Sequence, residues 1–296
     1  MRHRSPRALA TLICTFAAFA LLPSAGSAAV VGIGESSPSM FSDPAFAQLK
    51  VHEARLLVPW DVATARSERP TLATDTAWLK AARASRVTPL VSFGGIGNYI
   101  PSVGKYTSAV RAFLHRFPTV KRYTAWNEPD WPYRSISRHP RLAASFFNAL
   151  HRQCHGCVVL AGDVFLAAKQ LGPWLRSYRA GLRYRPAGWA LHDYYDVRSH
   201  STAQLRVMMS LTTGPIWLDE ISGVERRGHW QYRNQSAAAA ARDERFLFSL
   251  AHRLRRISRI YHYEWQGVTS AGWDSGLISP TGAKRPAYYV VKAATR

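Results

Sequence analysis

Cysteine is scarce in this chain. Of 296 residues three are Cys, and one of these, Cys14, lies inside an apolar N-terminal run. Only Cys154 and Cys157 remain beyond it, in the stretch QCHGC. A zinc site needs four ligands, and no second cysteine pair exists to complete one. No other constellation with metal-ligand spacing appears, so neither metal nor cofactor is expected. A GxSxG nucleophile elbow is missing, and GIGESS (32–37) lacks the third glycine of a dinucleotide fingerprint. Long hydrophobic runs are missing after residue 28. Acidic residues are few as well: 18 Asp and Glu stand against 39 Lys and Arg, a formal net charge of +21.

The N-terminus has the pattern of an export signal. Arg2, Arg4 and Arg7 precede the apolar run Ala8–Leu22, which falls short of the roughly 20 residues that span a bilayer. Small, turn-prone residues follow, with a cut expected after Ala28 or Ala29. Ile13 before Cys14, where a small residue would be wanted, argues against a lipid-modified cysteine. The expectation is a signal peptide over 1–28, a secreted domain over 29–296 and no transmembrane segment. In an exported chain the Cys154–Cys157 spacing reads as a small disulfide closing a turn, in preference to a reduced pair.

Removing the three signal arginines lowers the net charge of +21 to +18. Arg dominates, much of it on helix faces and in HRLRRISR (252–259). One reading is an Arg-rich genome and solvated helix faces. The other is attraction to an anionic cell-surface polymer. The basic residues are scattered and no nucleic-acid-binding module is present, so no nucleic-acid partner is expected. The chain is expected to be a monomer.

From residue 29 onward, β-like runs alternate with helical ones. Strands are expected at 29–35, 54–61, 86–95, 121–129, 157–165, 187–195, 215–223 and 257–267. Most are short apolar runs rich in Val, Ile and aromatics, as in strands buried on both faces. Asp43–Pro44 opens one helix with a cap and a proline at its first position, and Ser236 caps a long one. Eight β-then-α rounds predict a single (β/α)8 barrel, with a doubly wound open sheet as the runner-up.

Barrel enzymes place their chemistry where strands end. The expected ends carry Glu35, Asp61, Asn98, Asn127–Glu128, Asp163, His192 with Tyr194, Asp219–Glu220 and Glu264–Trp265. Arg55 lies within the second strand. Asp61 and Asp163 read equally well as caps of the next helix. Glu128 and Glu220, on opposite sides of a ring of eight, form the candidate catalytic pair. Alternation puts Glu264 and Trp265 on opposite faces, with Glu264 toward the helices. Glu264 is the rival nucleophile, and Glu35 is a candidate for the far side of the cleft. Trp126 reads as barrel core, whereas Trp60, Trp131, Trp230 and Trp273 fall in or near strand-end loops where sugar rings stack.

WNEP at the fourth strand end, WLDEISG at the seventh and YEWQG at the eighth resemble clan A glycoside hydrolases. Among these, the pattern is most similar to family 39 and related secreted glycanases. The closing GLISPTGAKRPAYYVVKA resembles their last loop and helix. The resemblance implies a (β/α)8 enzyme that cleaves β-glycosidic bonds with retention, working here on a polysaccharide or oligosaccharide. It implies Glu128 as acid/base, Glu220 as nucleophile and Asn127 as partner of the sugar 2-hydroxyl. It further implies Arg55 orienting Glu220, either His192 or Tyr194 (with Tyr195 as competitor) bonding the nucleophile, and Trp265 flooring the sugar. Trp131 joins these as a substrate-binding candidate. The alternatives are a non-catalytic carbohydrate-binding barrel and a cell-envelope adhesin that uses the positive charge.

Overall fold

The computed structural model describes residues 29–95, 97–227, 234–270 and 272–295. The stretch read as an export signal and Trp230 lie outside the described residues. Strands β1 (Val30–Gly34), β2 (Glu53–Pro59), β3 (Thr88–Gly94), β4 (Arg122–Thr124), β5 (Val158–Val164), β6 (Gly188–Leu191) and β7 (Ile216–Ile221) run parallel. The short β8 (Arg226–Arg227) stands apart, and β9 (Ile257–Tyr263) closes the barrel between β7 and β1. β8 pairs antiparallel with β10 (Trp273–Asp274) in a ribbon above the mouth. The helices are α1 (Pro44–Leu49), α2 (Arg69–Ala84), α3 (Val103–Arg116), α4 (Pro140–Gln153), α5 (Ala168–Ala180), α6 (Tyr194–Ser199), α7 (Ala203–Leu211), α8 (Ala237–Arg253) and α9 (Pro286–Ala294). This is a single (β/α)8 barrel, as the alternation predicts.

Local chemistry fixes the helix starts. The Asp43 carboxylate accepts from the Ala45 amide at 2.7 Å ahead of Pro44, and the Ser236 hydroxyl accepts from Ala239 at 3.2 Å. Each meets an amide that the helix leaves unpaired.

Strand alternation builds the interior in layers. Glu53, Arg55 and Leu57 of β2 share one face, as do Arg259, Tyr261 and Tyr263 of β9. The middle layer is apolar: Leu90, Leu160, Ala190, Trp217 and Tyr261 form their own cluster inside the barrel. Below it Glu53 is a buried anion, paired with Arg122 Nη1 at 2.6 Å, Arg259 Nε at 2.9 Å and the Tyr261 hydroxyl at 2.6 Å. The Arg259 guanidinium lies 4.2 Å from the Trp217 ring centroid. Above it sits a polar layer that forms the site described next.

The fourth, sixth and eighth strands are shorter than expected. β4 stops at Thr124, so WNEP is loop rather than strand, although its amides still reach the neighbours: Asn127 N donates to Phe93 O at 2.6 Å and Glu128 N to Asp163 O at 2.9 Å. β6 stops at Leu191, and Tyr194 already opens α6. β9 stops at Tyr263. Cys154 and Cys157 form a disulfide across the turn between α4 and β5.

Two outcomes follow from the packing. Glu53→Ala leaves two arginines facing an apolar layer, and urea unfolding should show a loss of about 2–3 kcal/mol. That is less than the usual cost of breaking a buried pair because both Arg heads are partly wet. A loss under about 1 kcal/mol would mean that the layer does not need its anion. Peptide mapping under alkylating, non-reducing conditions should recover Cys154 and Cys157 linked. Two alkylated cysteines would reject the bridge.

Candidate active site

Arg55 is the centre of the polar layer, with 2% of its surface exposed. Its Nη1 donates to Glu220 Oε2 at 2.7 Å, its Nη2 to Asn127 Oδ1 at 2.5 Å and its Nε to Ser92 Oγ at 2.9 Å. Asp163 Oδ1 is 3.4 Å from Nη2 and Asp219 Oδ2 is 3.6 Å from Nε. Burial by itself would favour a neutral guanidine, but Asp163, Glu220 and Asp219 outweigh it and raise the Arg55 pKa further. A guanidinium has no acceptor, so the contact with Asn127 fixes that amide's orientation. Its NH2 is left free to donate elsewhere.

His192 joins the two glutamates. Its Nδ1 is hydrogen-bonded to Glu128 Oε1 at 2.9 Å and lies 3.9 Å from Glu220 Oε1, while Nε2 is 2.7 Å from Asp163 Oδ1. Burial pulls the imidazole down, but Glu220, Asp163 and Glu128 overcome it and raise His192 well above its ordinary value. Burial pushes Glu128 up, and the hydrogen bond and charge of His192 offset this only in part. Burial also works against Asp163, yet Arg55, then His192 and Thr124, hold its pKa at about 2. Asp219 goes the other way: burial and the Asp163 charge lift it well above the carboxylate range. The layer thus keeps Asp163 ionised and favours the neutral acid at Glu128 and Asp219.

The Tyr194 hydroxyl donates to Glu220 Oε1 at 3.3 Å. Carboxylate oxygens of Glu128 and Glu220 lie within 4.8 Å of each other and of a His192 nitrogen. A second set, Asp163, His192 and Asp219, is as compact. Arg55 contacts Glu220 in the first set and both aspartates in the second. A metal ion in either would therefore sit against a guanidinium.

Backbone irregularities aim four of these acids. Glu128 has φ of 46° and Asp163 of 61°, the left-handed region that costs a side-chain-bearing residue about 1–2 kcal/mol. The β5 register shifts between Gly162 and Val164, turning Asp163 inward. The β7 register against β9 shifts between Leu218 and Ile221, so Asp219 and its neighbour Glu220 both reach the mouth.

The structure therefore brings together Arg55, Asn127, Glu128, His192, Tyr194 and Glu220. His192 bonds Glu128, whereas Tyr194 bonds Glu220; Tyr195 instead packs against Phe165, with ring centroids 5.3 Å apart. Trp131 lines a cavity of about 170 Å³ beside Glu128, together with Leu57, Tyr99, Trp126, Asn127 and Arg134. Trp126 is core on its other side, stacked on Phe146 at 5.0 Å. Trp273 packs edge-on against Tyr194 at 5.0 Å.

Trp265 is placed elsewhere. Only 2% exposed, it packs against Phe46 and Tyr288, with Nε1 toward Asp43 Oδ2 at 3.3 Å, and has no face for a sugar. The expected alternation of Glu264 and Trp265 fails because β9 has already ended. Glu264 stands partly exposed at the rim, where burial and the charge of Glu35 lift its pKa to about 7. Tyr263, which continues the inward face of Arg259 and Tyr261, has its pKa raised by burial and then by the charge of Glu220. Asp163 is not a helix cap either, since α5 has Ala167 at that position. Asp61 heads a turn in which the Thr64 and Ala65 amides donate to its backbone carbonyl.

The model of the glycosyl hydrolase catalytic core family matches residues 95–287, which include both glutamates but not Arg55. No curated protein sequence matches the chain at a significant level. Among solved structures, a family 39 glycoside hydrolase from Bacteroides cellulosilyticus WH2 superposes with a TM-score of 0.59 at 14% identity. That match covers 92% of this chain and 64% of the other, so the chain spans less than two thirds of that enzyme. A family 39 β-xylosidase from Caulobacter crescentus gives 0.64 at 14% identity, covering 90% and 71%. A family 128 endo-β-1,3-glucanase from Amycolatopsis mediterranei, in complex with laminaripentaose, gives 0.56 at 16%, covering 90% and 100%. At such identities the likeness is one of fold. The family match spans well over half of the sequence and carries the glutamate pair, and on that ground the chain belongs to the glycosyl hydrolase catalytic core family.

Proposed function

We propose that this protein is a secreted β-glycosidase that acts on a polysaccharide with retention of anomeric configuration. One observation carries the reading: the Glu128 and Glu220 oxygens are within 4.8 Å of each other. Inverting enzymes hold their carboxyls about 6.5–9.5 Å apart to admit a water, whereas retaining ones hold them about 5–5.5 Å apart. Secretion is read from the basic and apolar N-terminus alone.

In the first step Glu220 attacks the anomeric carbon. A carbon–oxygen bond forms to the carboxylate as the glycosidic bond breaks, and Glu128 gives its proton to the departing oxygen. Arg55 and Tyr194 hold Glu220 in place. Charge on Glu220 is neutralised during attack, so these partners orient it more than they activate it. The free Asn127 NH2 is available to the sugar 2-hydroxyl, and the Tyr263 ring to the sugar face. In the second step a water attacks the anomeric carbon, gives its proton to Glu128 and releases Glu220. His192 holds Glu128 at one oxygen throughout, leaving the other to carry the proton. Tyr99 and Trp131 on the leaving-group side and Trp273 near Glu220 favour an extended chain and internal cleavage. Digestion of a panel of β-glucans, β-mannans, xylans and bacterial exopolysaccharides, with product sizes followed in time, identifies the sugar.

The two glutamates should separate by rescue. Glu128→Ala should lower kcat/KM on substrates with poor leaving groups by about 10²–10⁴-fold. It should spare activated aryl glycosides, and added azide should give the retained glycosyl azide. Glu220→Ala cannot form the covalent intermediate, and azide in the vacated space should give the inverted product. Swapped outcomes would reverse the roles, and near-normal activity of Glu220→Ala would shift the nucleophile to Glu264.

The pH profile should carry the same mark. Glu128 has a raised pKa, so its acid form persists past the ordinary carboxyl range and is lost as pH rises through that value. On unactivated substrates kcat/KM should fall along that alkaline limb. On a dinitrophenyl glycoside, which leaves without a proton, the limb should flatten. Identical limbs would contradict Glu128 as the acid.

A further inference from the structure

The two ends of the barrel differ in charge. The turns that lead from a helix into the next strand form the face opposite the mouth. They carry Lys50, Arg86, Lys121, Arg183, Arg185 and Arg255, all exposed, and not one Asp or Glu. Arg256, on the same face, is partly buried and bonds the carbonyls of Gly214 and Met209 and the Thr212 hydroxyl. The last turns of the helices that lead into strands also lack acids and add further arginines, among them Arg83 and Arg179.

All 18 acidic residues fall within the described residues. Glu53 alone begins a strand at this face, and it is buried and neutralised by Arg122 and Arg259. Every other acid sits near the C-terminal end of a strand, in a loop on the mouth side or in the first half of a helix.

Helix dipoles favour cations in last turns. Their effect falls off within the last turn, so it reaches cations further along the turns such as Arg183 and Arg185 only weakly, and it does not account for the one local carboxylate being sequestered. A composition rich in arginine would add cations to both ends without emptying one end of acids. The mouth does not cancel this field either. Seven-residue strands are roughly 23 Å long, several times the screening length of about 8 Å at physiological salt.

The face is also shaped. One cleft of about 530 Å³ is lined by Arg179 and Arg185 together with Thr212 and Thr213. Another of about 400 Å³ sets Arg83 and Arg86 beside Thr88 and Thr119. Each puts two guanidinium groups next to hydroxyls and backbone carbonyls. That combination suits a chain that presents carboxylates and hydroxyls in alternation, because the Arg fork matches a carboxylate through paired hydrogen bonds. An interfacial membrane anchor would need an apolar face to insert. Among the described residues, the exposed large apolar side chains near this end are Val30 and Tyr184, and Tyr184 is stacked on His151.

We propose that the face opposite the mouth is a docking surface for an acidic polysaccharide, which holds the enzyme on a polyanionic matrix with its mouth directed away. The choice of a polysaccharide among polyanions rests on the glycosidase reading; the binding itself does not require turnover.

Affinity electrophoresis through gels containing polygalacturonate or neutral dextran tests this, beside co-sedimentation with phosphatidylglycerol vesicles. The quadruple variant Arg83→Gln/Arg86→Gln/Arg183→Gln/Arg185→Gln is compared with an equal charge loss elsewhere, Arg69→Gln/Arg138→Gln/Arg242→Gln/Arg245→Gln. Thermal melts confirm that both fold. Wild type and control should be retarded by polygalacturonate and not by dextran, and salt should weaken the retardation. The face variant should bind about tenfold more weakly. Equal loss in both variants would reduce the effect to net charge and overturn the proposal. Capture by the vesicles without polygalacturonate binding would overturn it in favour of a lipid surface. A protein that docks but cleaves no glycan would count against the glycosidase reading alone.

Discussion

Arg55 carries a full positive charge with 2% of its surface in water, and the site is assembled on it. Glu220 at the end of β7, Asn127 after β4, Asp163 at the end of β5 and Ser92 within β3 all contact one guanidinium. Such a cation, once buried, must be compensated, and the compensation fixes where those groups point. It holds Glu220 on one side of the mouth. It sets the Asn127 amide so that a donor is spare. It keeps Asp163 ionised, and Asp163 in turn helps hold the His192 imidazole that Glu128 leans on.

From this the two glutamates acquire different characters. Glu220 faces Arg55 and Tyr194 and is partly open to solvent. Glu128 is buried beside His192, where desolvation favours its neutral form. Two carboxyls within 4.8 Å would repel if both were ionised, and the asymmetry of their partners decides which one keeps the proton. Burial beside His192 on one side and contact with a single cation on the other set the two carboxyls apart, as the proposed retaining mechanism requires.

The fold was legible from the alternation, and both glutamates, Arg55, Asn127, His192 and Tyr194 were singled out by their places near strand ends and by motifs that resemble clan A enzymes; the structure brings them together. Asp163 stayed open between a helix cap and a strand-end acid: a regular strand could not decide it, and the β5 irregularity with a left-handed residue turns it inward. Trp265 failed for a related reason. Its ring was assigned by motif, but β9 ends one residue before Glu264, and beyond that point periodicity says nothing about direction. Tyr263 could have been found, since it continues the inward face of Arg259 and Tyr261. The fourth strand was read too long because WNEP keeps two barrel hydrogen bonds without keeping strand geometry.

The charge segregation of the barrel ends was visible only once the turns were placed, because a net charge carries no direction. Covalent trapping tests the chemistry of the mouth most directly. A panel of dinitrophenyl 2-deoxy-2-fluoro-β-glycosides slows deglycosylation enough to leave the sugar on the nucleophile, which peptide mapping by mass spectrometry then locates. The account predicts a single glycosyl adduct, on Glu220. An adduct on Glu264 or any other carboxylate, or an inverted product from the same substrates with no adduct, would contradict it.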